Sequence, residues 1–232
     1  MSVNYEEFIA IVRDCFNEFP VIEGIIGKDG EEYILRQHSV SDVEDYRRFY
    51  NMPEIKPFLP DGLVFKTNEE ALAELEYRRG NFFKKETIYW CIAHKKSNKL
   101  MGGCGFLEWS RFNRRIEIAY DIMPQHQGKG IISQAIKHLT AFAMLRLRVV
   151  RLGATTPTDN LRSIGVLTKN CGFAFEGTLQ SYKFWKGRYI DVNHFSITLP
   201  RFIELAEQNF YSFVTPADIE KAKQFYTQCY NK

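Results

Sequence analysis

The 232-residue sequence has no unbroken apolar stretch of about 20 residues, the length a membrane-crossing helix needs, so no helical span is expected. No basic stretch followed by an apolar run opens it, which argues against a secretory signal. Cysteine is sparse: Cys15, Cys91, Cys104, Cys171 and Cys229 are odd in number, far apart and form no Cys-x-x-Cys pair. That excludes a disulfide framework and fits small buried hydrophobes in a reducing, cytoplasmic setting. The histidines are scattered, with no metal-ligand spacing, so no metal is expected. Charge of one sign is also missing. Thirty-one basic against 28 acidic residues leave a net +3, and the arginines of Arg146–Arg151 are interleaved with leucine and valine. Neither is a nucleic-acid footprint.

What is present is an ordinary globular composition, 45% hydrophobic and 25% charged, in a chain long enough to bury a sizeable core. Residues 4–19 carry Phe8, Ile11, Val12, Cys15 and Phe16 at helical spacing, ended by Pro20. Strands are expected at Val21–Ile26 and Glu32–Gln37. Ser41 and Glu44 read as a capping box opening a helix over 41–50, and Asn68 as the cap of a helix over 69–84. Thr87–His94 and Leu100–Trp109 read as a hairpin, and Arg115–Met123 as a buried strand stopped by Pro124. A helix over 129–147, a strand at Val149–Thr155, a helix from Asn160 to Cys171 closed by Gly172, and strands at Phe173–Thr178 and Asp191–Leu199 follow. Residues 201–232 have a helical pattern broken at Pro216.

The informative segment is Gln125-His126-Gln127-Gly128-Lys129-Gly130, set between a buried strand and an amphipathic helix. N–H groups at a helix start lack internal partners and carry partial positive charge. Glycines let an anion approach the backbone, so the loop is a candidate pyrophosphate cradle. A tight turn is the other reading of the loop taken by itself. The three-glycine dinucleotide fingerprint and the Gly-Lys-Ser/Thr of nucleoside triphosphatases are both absent.

Gln125-x-x-Gly128-x-Gly130 resembles the pyrophosphate loop of the GNAT superfamily of N-acetyltransferases. Asn160-x-x-Ser163, Cys171-Gly172-Phe173, Glu176-Gly177-Thr178-Leu179, Tyr189-x-Asp191 and the opening Tyr33-Ile34-Leu35-Arg36 with Ser41-Asp42 are similar to its branch that acetylates ribosomal-protein N-termini. The resemblance covers about residues 31–200. It implies an α/β fold with a mixed, mostly antiparallel twisted sheet flanked by helices, a helical N-terminal extension over 1–30 and a helical C-terminal tail over 201–232.

It also implies acetyl-CoA as co-substrate. Ile122 and Met123 would bond the pantetheine arm. Gln125, Gln127, Gly128, Lys129, Gly130 and Ile131 would form the pyrophosphate loop, and Asn160 would bond the pantetheine or diphosphate. The acceptor would be an amine, a protein N-terminus first, with a polyamine or aminoglycoside acceptor and a non-catalytic acyl-CoA-binding module as rivals. A homodimer is compatible with the aromatic tail.

For the base, Glu117 and Asp121 stand four apart on one strand and share a face. A carboxylate in an apolar strand is costly unless paired or used, so each is a catalytic candidate or the partner of Arg114, Arg115 or Lys183. Ser163 is the candidate donor to the departing thiolate, with Tyr182 and Tyr189 as rivals, Tyr189 being more readily paired with Asp191. The chain departs from the superfamily in three places. No tyrosine stands at Leu167 or Thr168, where many members have one. Lys183 stands where some members of the branch have a glutamate. One residue is extra around Thr168–Cys171.

Overall fold

The computed structural model describes residues 5–60 and 62–230. Helix α1 (Tyr5–Asp14) leads into β1 (Ile22–Ile26) and β2 (Glu32–Arg36), then α2 (Val43–Tyr50), α3 (Asn68–Phe83), β3 (Tyr89–His94), β4 (Leu100–Ser110) and β5 (Arg115–Ile122). Next come α4 (Ile131–Leu145), β6 (Arg151–Pro157), the short α5 (Leu161–Gly165), β7 (Ala174–Trp185), β8 (Arg188–Thr198), α6 (Leu199–Glu207) and α7 (Pro216–Tyr230). The strands form one sheet in the order β1-β2-β3-β4-β5-β6-β8-β7, with β5–β6 its one parallel pair. Of the residues expected in the first helix, position 4 and the side chains of Phe8 and Ile11 lie outside the described residues. The tail positions 231 and 232 do too.

Alternation along the central strands loads both sheet faces. Trp90 and Ile92 enter the larger core with α4, while Cys91 and Ala93 enter a second core under α2 and α3. The larger core also takes Val12, Cys15 and Phe16 from the N-terminal segment and Phe202, Tyr211, Ala222 and Phe225 from the tail. The aromatic tail therefore packs on its own sheet. Thr215 and Asp218 exchange capping bonds of 3.2 and 3.3 Å around Pro216, which opens α7.

Two helix starts differ from the sequence expectation. The capping box is Ser39–Asp42, with the Asp42 carboxylate accepting from Ser39 N–H at 2.7 Å, and it opens a 3₁₀ turn before α2. Asp42 is drawn there because it also takes a bidentate bond from Arg36, both contacts at 2.7 Å. Thr67, not Asn68, caps α3, because Asn68 is occupied by the Arg47 guanidinium at 2.7 Å.

The helix after Asn160 is regular only to Gly165. Val166–Asn170 is π-helical before Gly172 closes it in the left-handed region, φ +78°. The surplus residue noted around Thr168–Cys171 falls in this wide turn. Strands β7 and β8 run much further than expected and meet at a Lys186-Gly187 turn with φ of 50° and 81°. From there Trp185 Nε1–H donates to the Pro57 carbonyl at 3.4 Å, so the hairpin tip reaches back to the α2–α3 connection.

Candidate active site

After β5 the chain makes a 3₁₀ turn over Pro124–His126, then enters the left-handed region at Gly128 and again at Gly130, φ +77° at both. Gly130 is the N-cap of α4, so no side chain caps that helix and no acid stands in its first turn. Alternating left-handed residues turn backbone N–H groups toward one side and make an anion nest. A Cβ on Gly128 would meet nothing within 4 Å, whereas one on Gly130 would meet the Lys28 stem at 3.3 Å.

The loop is braced from both sides. Lys28 N–H donates to the Lys129 carbonyl at 2.8 Å, and the Lys129 ammonium pairs with Asp29 at 3.1 Å. On the other side the Gln127 amide oxygen accepts from Arg162 at 2.8 Å. His126 is half-buried, and burial lowers its pKa. A nest with open space before Gly128, an uncapped helix start and no acid in the first helical turn fits a diphosphate. Gln125 is exposed, its amide 3.4 Å from Met123 sulfur, and Ile131 is buried in the core.

The second element is a wedge in the sheet. β5 and β6 pair only over Arg115–Glu117 and Arg151–Gly153. Beyond that β5 stays with β4 through Ile122, and β6 stays with β8 through Pro157. The β5 edge from Ile118 to Ile122 is left facing a gap that an extended, amide-bearing chain could fill as an added strand. Met123, at its end, is buried in the second core, and its N–H is taken by the Met101 carbonyl at 2.9 Å. Its carbonyl accepts from His126 N–H at 2.9 Å, so of the two residues expected on the pantetheine arm, Met123 has both backbone groups engaged.

On one side of the wedge the Tyr120 and Ser163 hydroxyls lie 2.7 Å apart. Asn160 caps α5 by accepting from Ser163 N–H at 3.2 Å, which sets the height of the serine. Burial raises the Tyr120 pKa, so the phenol keeps its proton at neutral pH. No tyrosine stands at Leu167 or Thr168, and the phenol that meets Ser163 comes from β5. Period-two reading of β5 puts Tyr120 opposite Glu117 in orientation, the signal that could have found it.

On the other side lies Glu117. Its ion-pair partner is His194 on β8, Nε2 to Oε1 3.6 Å. His194 Nδ1 is 3.0 Å from Glu176, which also accepts from Ser196 at 2.7 Å and from both Arg151 Nη atoms. Two bulges build this array. Phe175 pairs with Phe195 and Gly177 with His194, so Glu176 is an extra residue turned toward Arg151. On β4 the register slips between Leu107 and Ser110, with Glu108 left-handed at φ +48°. Burial first, and the Glu108 charge second, raise the Glu117 pKa. The Arg151 bonds hold Glu176 down to about 2. Sequence reasoning gave no site role to Glu108, Glu176 or His194: His194 reaches Glu117 through the pairing of β6 with β8, and the bulge on β7 places Glu176 against His194.

Asp121 shares the Glu117 face but meets different groups. It accepts from Tyr50 at 2.6 Å and Tyr89 at 3.3 Å, and burial raises its pKa against those bonds. The direct contact of Glu117 is His194, with Arg115, one of the expected partners, acting on it through its charge; Asp121 is met by these tyrosines. Lys183 instead lies over the Trp185 ring at 4.8 Å. Tyr182 and Tyr189 are exposed on the hairpin; Asp191 accepts from Ser181 N–H at 2.8 Å, and Tyr189 packs edge-on to Phe184. Among the described residues no cluster of His, Cys, Asp or Glu could hold a metal, and no helix is long and apolar enough to cross a membrane.

Residues 33–174 match the family model of the acetyltransferase (GNAT) domain. The chain is 30% identical over 184 residues to the N-acetyltransferase YoaA of Bacillus subtilis (strain 168), covering 79% of this chain and 99% of that protein. It is 35% identical over 98 residues to the ribosomal-protein-serine acetyltransferase of Escherichia coli (strain K12), 42% of this chain and 54% of the relative. The structure of Mycobacterium smegmatis RimJ in complex with CoA-disulfide superposes with TM-score 0.71 at 17% identity, covering 82% of this chain and 95% of that one, and so shares the fold. The sheet with its wedge, the glycine loop at the start of α4 and these matches agree, and the chain belongs to the GNAT acetyltransferase family.

Proposed function

We propose that this protein is an acetyl-CoA-dependent N-acetyltransferase acting on a primary amine, with a polypeptide N-terminus as the favoured acceptor. The observation that carries the reading is the pairing of groups across the wedge: a carboxylate of raised pKa on one side, a hydroxyl pair on the other.

In acetyl transfer from a thioester the amine must lose a proton and the leaving thiolate must be stabilised. The backbone nest from Gln127 to Gly130 binds the diphosphate, and the open β5 edge at Ile122 aligns the arm. Asn160 sets α5 and keeps its amide N–H₂ for the ligand. Glu117 takes the amine proton. Ser163 donates a hydrogen bond to the departing thiolate and accepts one from Tyr120, each hydroxyl keeping its proton. Asp121, held by Tyr50 and Tyr89, supports the sheet beneath α2 and α3 instead of acting on the amine. Ser163→Ala should lower kcat by about 100-fold, and Tyr120→Phe, acting through the serine, by about tenfold, both with coenzyme A affinity unchanged. Equal kcat in Ser163→Ala and the parent would remove the hydroxyl pair from the mechanism.

The rim favours a peptide over a polyamine or aminoglycoside. Exposed Lys183, Lys186 and Arg188 on the hairpin and Lys56 on the loop it touches repel polycations. Two of the acids of α3 are engaged within or just before their own helix: Glu74 pairs with Arg78 at 2.8 Å, and Glu70 accepts from Lys66 N–H at 2.6 Å. A thiol-release assay with acetyl-CoA against N-terminal peptides, spermidine and an aminoglycoside tests this. Release should be fastest with peptides. Coenzyme A binding with no release from any amine would leave the acyl-CoA-binding module as the function.

A further inference from the structure

We propose that Lys28, in the turn between β1 and β2, is a ligand of the coenzyme A diphosphate, given that Gln127–Gly130 is the coenzyme A loop, and that the N-terminal extension thereby completes the donor site.

A cation beside a helix start is an unfavourable arrangement, because the N–H groups there already carry partial positive charge. Yet the Lys28 stem lies along Gly130, the N-cap of α4. A Cβ on that glycine would stand 3.3 Å from the Lys28 Cγ and 3.5 Å from its Cε. The exposed ammonium, one bond beyond Cε, therefore sits at the mouth of the helix. No acid offsets it. The first turn of α4 has none, and among the described residues Lys28 has no ion pair. The acid next to it, Asp29, is taken by the Lys129 ammonium at 3.1 Å and by the Tyr33 hydroxyl at 3.4 Å. On the far side of the loop Arg162, which donates to Gln127 at 2.8 Å, has no ion pair either. A doubly charged diphosphate in the nest turns this excess of positive charge from a cost into charge-assisted bonds.

The turn is held in place before any ligand arrives. Gly27 N–H donates to the Glu31 carbonyl at 2.9 Å, Gly30 N–H to the Gly27 carbonyl at 3.0 Å, and Lys28 N–H to the Lys129 carbonyl at 2.8 Å. Behind it Ile25 and Tyr33 enter the larger core, and Trp90 Nε1–H donates to the Pro20 carbonyl at 2.6 Å. A site fixed in this way loses little freedom on binding. The two lysines divide the work. Lys129 spends its ammonium on Asp29 and so ties the loop to the turn, whereas Lys28 spends its backbone on the loop and keeps its ammonium for the ligand. Position 28 lies outside residues 33–174, which match the family model, so this cation comes from what the chain adds to the family domain.

Calorimetric titration with coenzyme A and with dephospho-coenzyme A, each at several salt concentrations, tests this. Lys28→Met keeps the stem and removes the charge. It should weaken both ligands by about tenfold and flatten the dependence of affinity on salt. Lys28→Arg should stay within about threefold of the parent. In the unliganded protein the methionine variant should melt no lower than the parent, since it removes a charge that the helix start opposes. Affinity of the methionine variant within about twofold of the parent's overturns the proposal. So does a loss seen with coenzyme A and not with dephospho-coenzyme A, which would put the lysine on the 3′-phosphate. A loss that the arginine variant shares and salt does not change would mark a packing role and overturn it as well. If the parent protein binds no coenzyme A, the loop assignment itself fails; a difference confined to the variants concerns Lys28 alone.

Discussion

Gly128→Asp is expected to weaken coenzyme A binding by about 100-fold or more, roughly 2.7 kcal/mol. The position is suited to a clean experiment. A Cβ there meets nothing within 4 Å, so the fold has room for the new side chain. The left-handed backbone at φ +77° costs an ordinary residue about 1–2 kcal/mol, less for aspartate and asparagine, which tolerate that region. The added carboxylate would sit before the nest, and two like charges about 4 Å apart repel by about 1–4 kcal/mol between the dielectric of water and that near a protein surface. Gly128→Asn separates the two effects, carrying the backbone cost without the charge; it should lose less than about tenfold. Calorimetric titration with coenzyme A, beside a thermal melt, reads both variants. Equal affinity in the aspartate and asparagine variants would mean that no anion sits at this loop.

Glu117→Gln should lower kcat/KM for the amine by about 10² to 10⁴-fold, leaving coenzyme A affinity within about twofold. The amide matches the carboxylate in shape but takes up no proton. The parent enzyme's pH profile should carry the same signature. Glu117 works when ionised, and its folded pKa lies above the ordinary 4.5, through burial first and Glu108 second. Activity should therefore fall on the acid side at a higher pH than a solvent-exposed glutamate would give. Glu108→Gln removes a like charge, lowers that pKa, and should move the acid limb to lower pH. The sign for stability is opposite to the sign for activity. A carboxyl whose folded pKa is raised stabilises the fold when protonated, and that contribution is lost as pH rises through the folded pKa. Near neutrality the ionised Glu117 is a burden on the fold, so Glu117→Gln should melt no lower than the parent. A lower melting temperature together with the lost rate would mark Glu117 as a structural partner of His194.

The donor side of this site was legible because its information is local. Gln125 to Gly130 lies between one strand and one helix, and the physics of a helix start needs nothing from elsewhere in the chain. Asn160 and Ser163 are likewise three residues apart, and the cap they form is a sequence pattern. The acceptor side was not legible, because its groups meet only through strand register. His194 reaches Glu117 across β6, and Glu176 reaches His194 by a one-residue slip that no alternation pattern announces. Tyr120 was hidden for a different reason. The resemblance points for a tyrosine to the helix after Asn160, while the phenol that meets Ser163 stands on β5. Competition between neighbouring polar groups decided the helix caps at Ser39 and Thr67, and such competition is settled by tertiary contacts.

The wide turn at Val166–Asn170 bears on how such chains accommodate change in length. An added residue in a strand would reverse the facing of every side chain after it, and in a tight loop it would displace both ends. A helix can take up one residue as a local change of pitch, at the loss of little more than one regular hydrogen bond. The residue that the resemblance counts as extra would be taken up before Gly172; beyond it Phe173 enters the core and Glu176 stands opposite Arg151. That turn works as an expansion joint, letting the chain between donor loop and acceptor hairpin lengthen without putting the two halves of the catalytic array out of step.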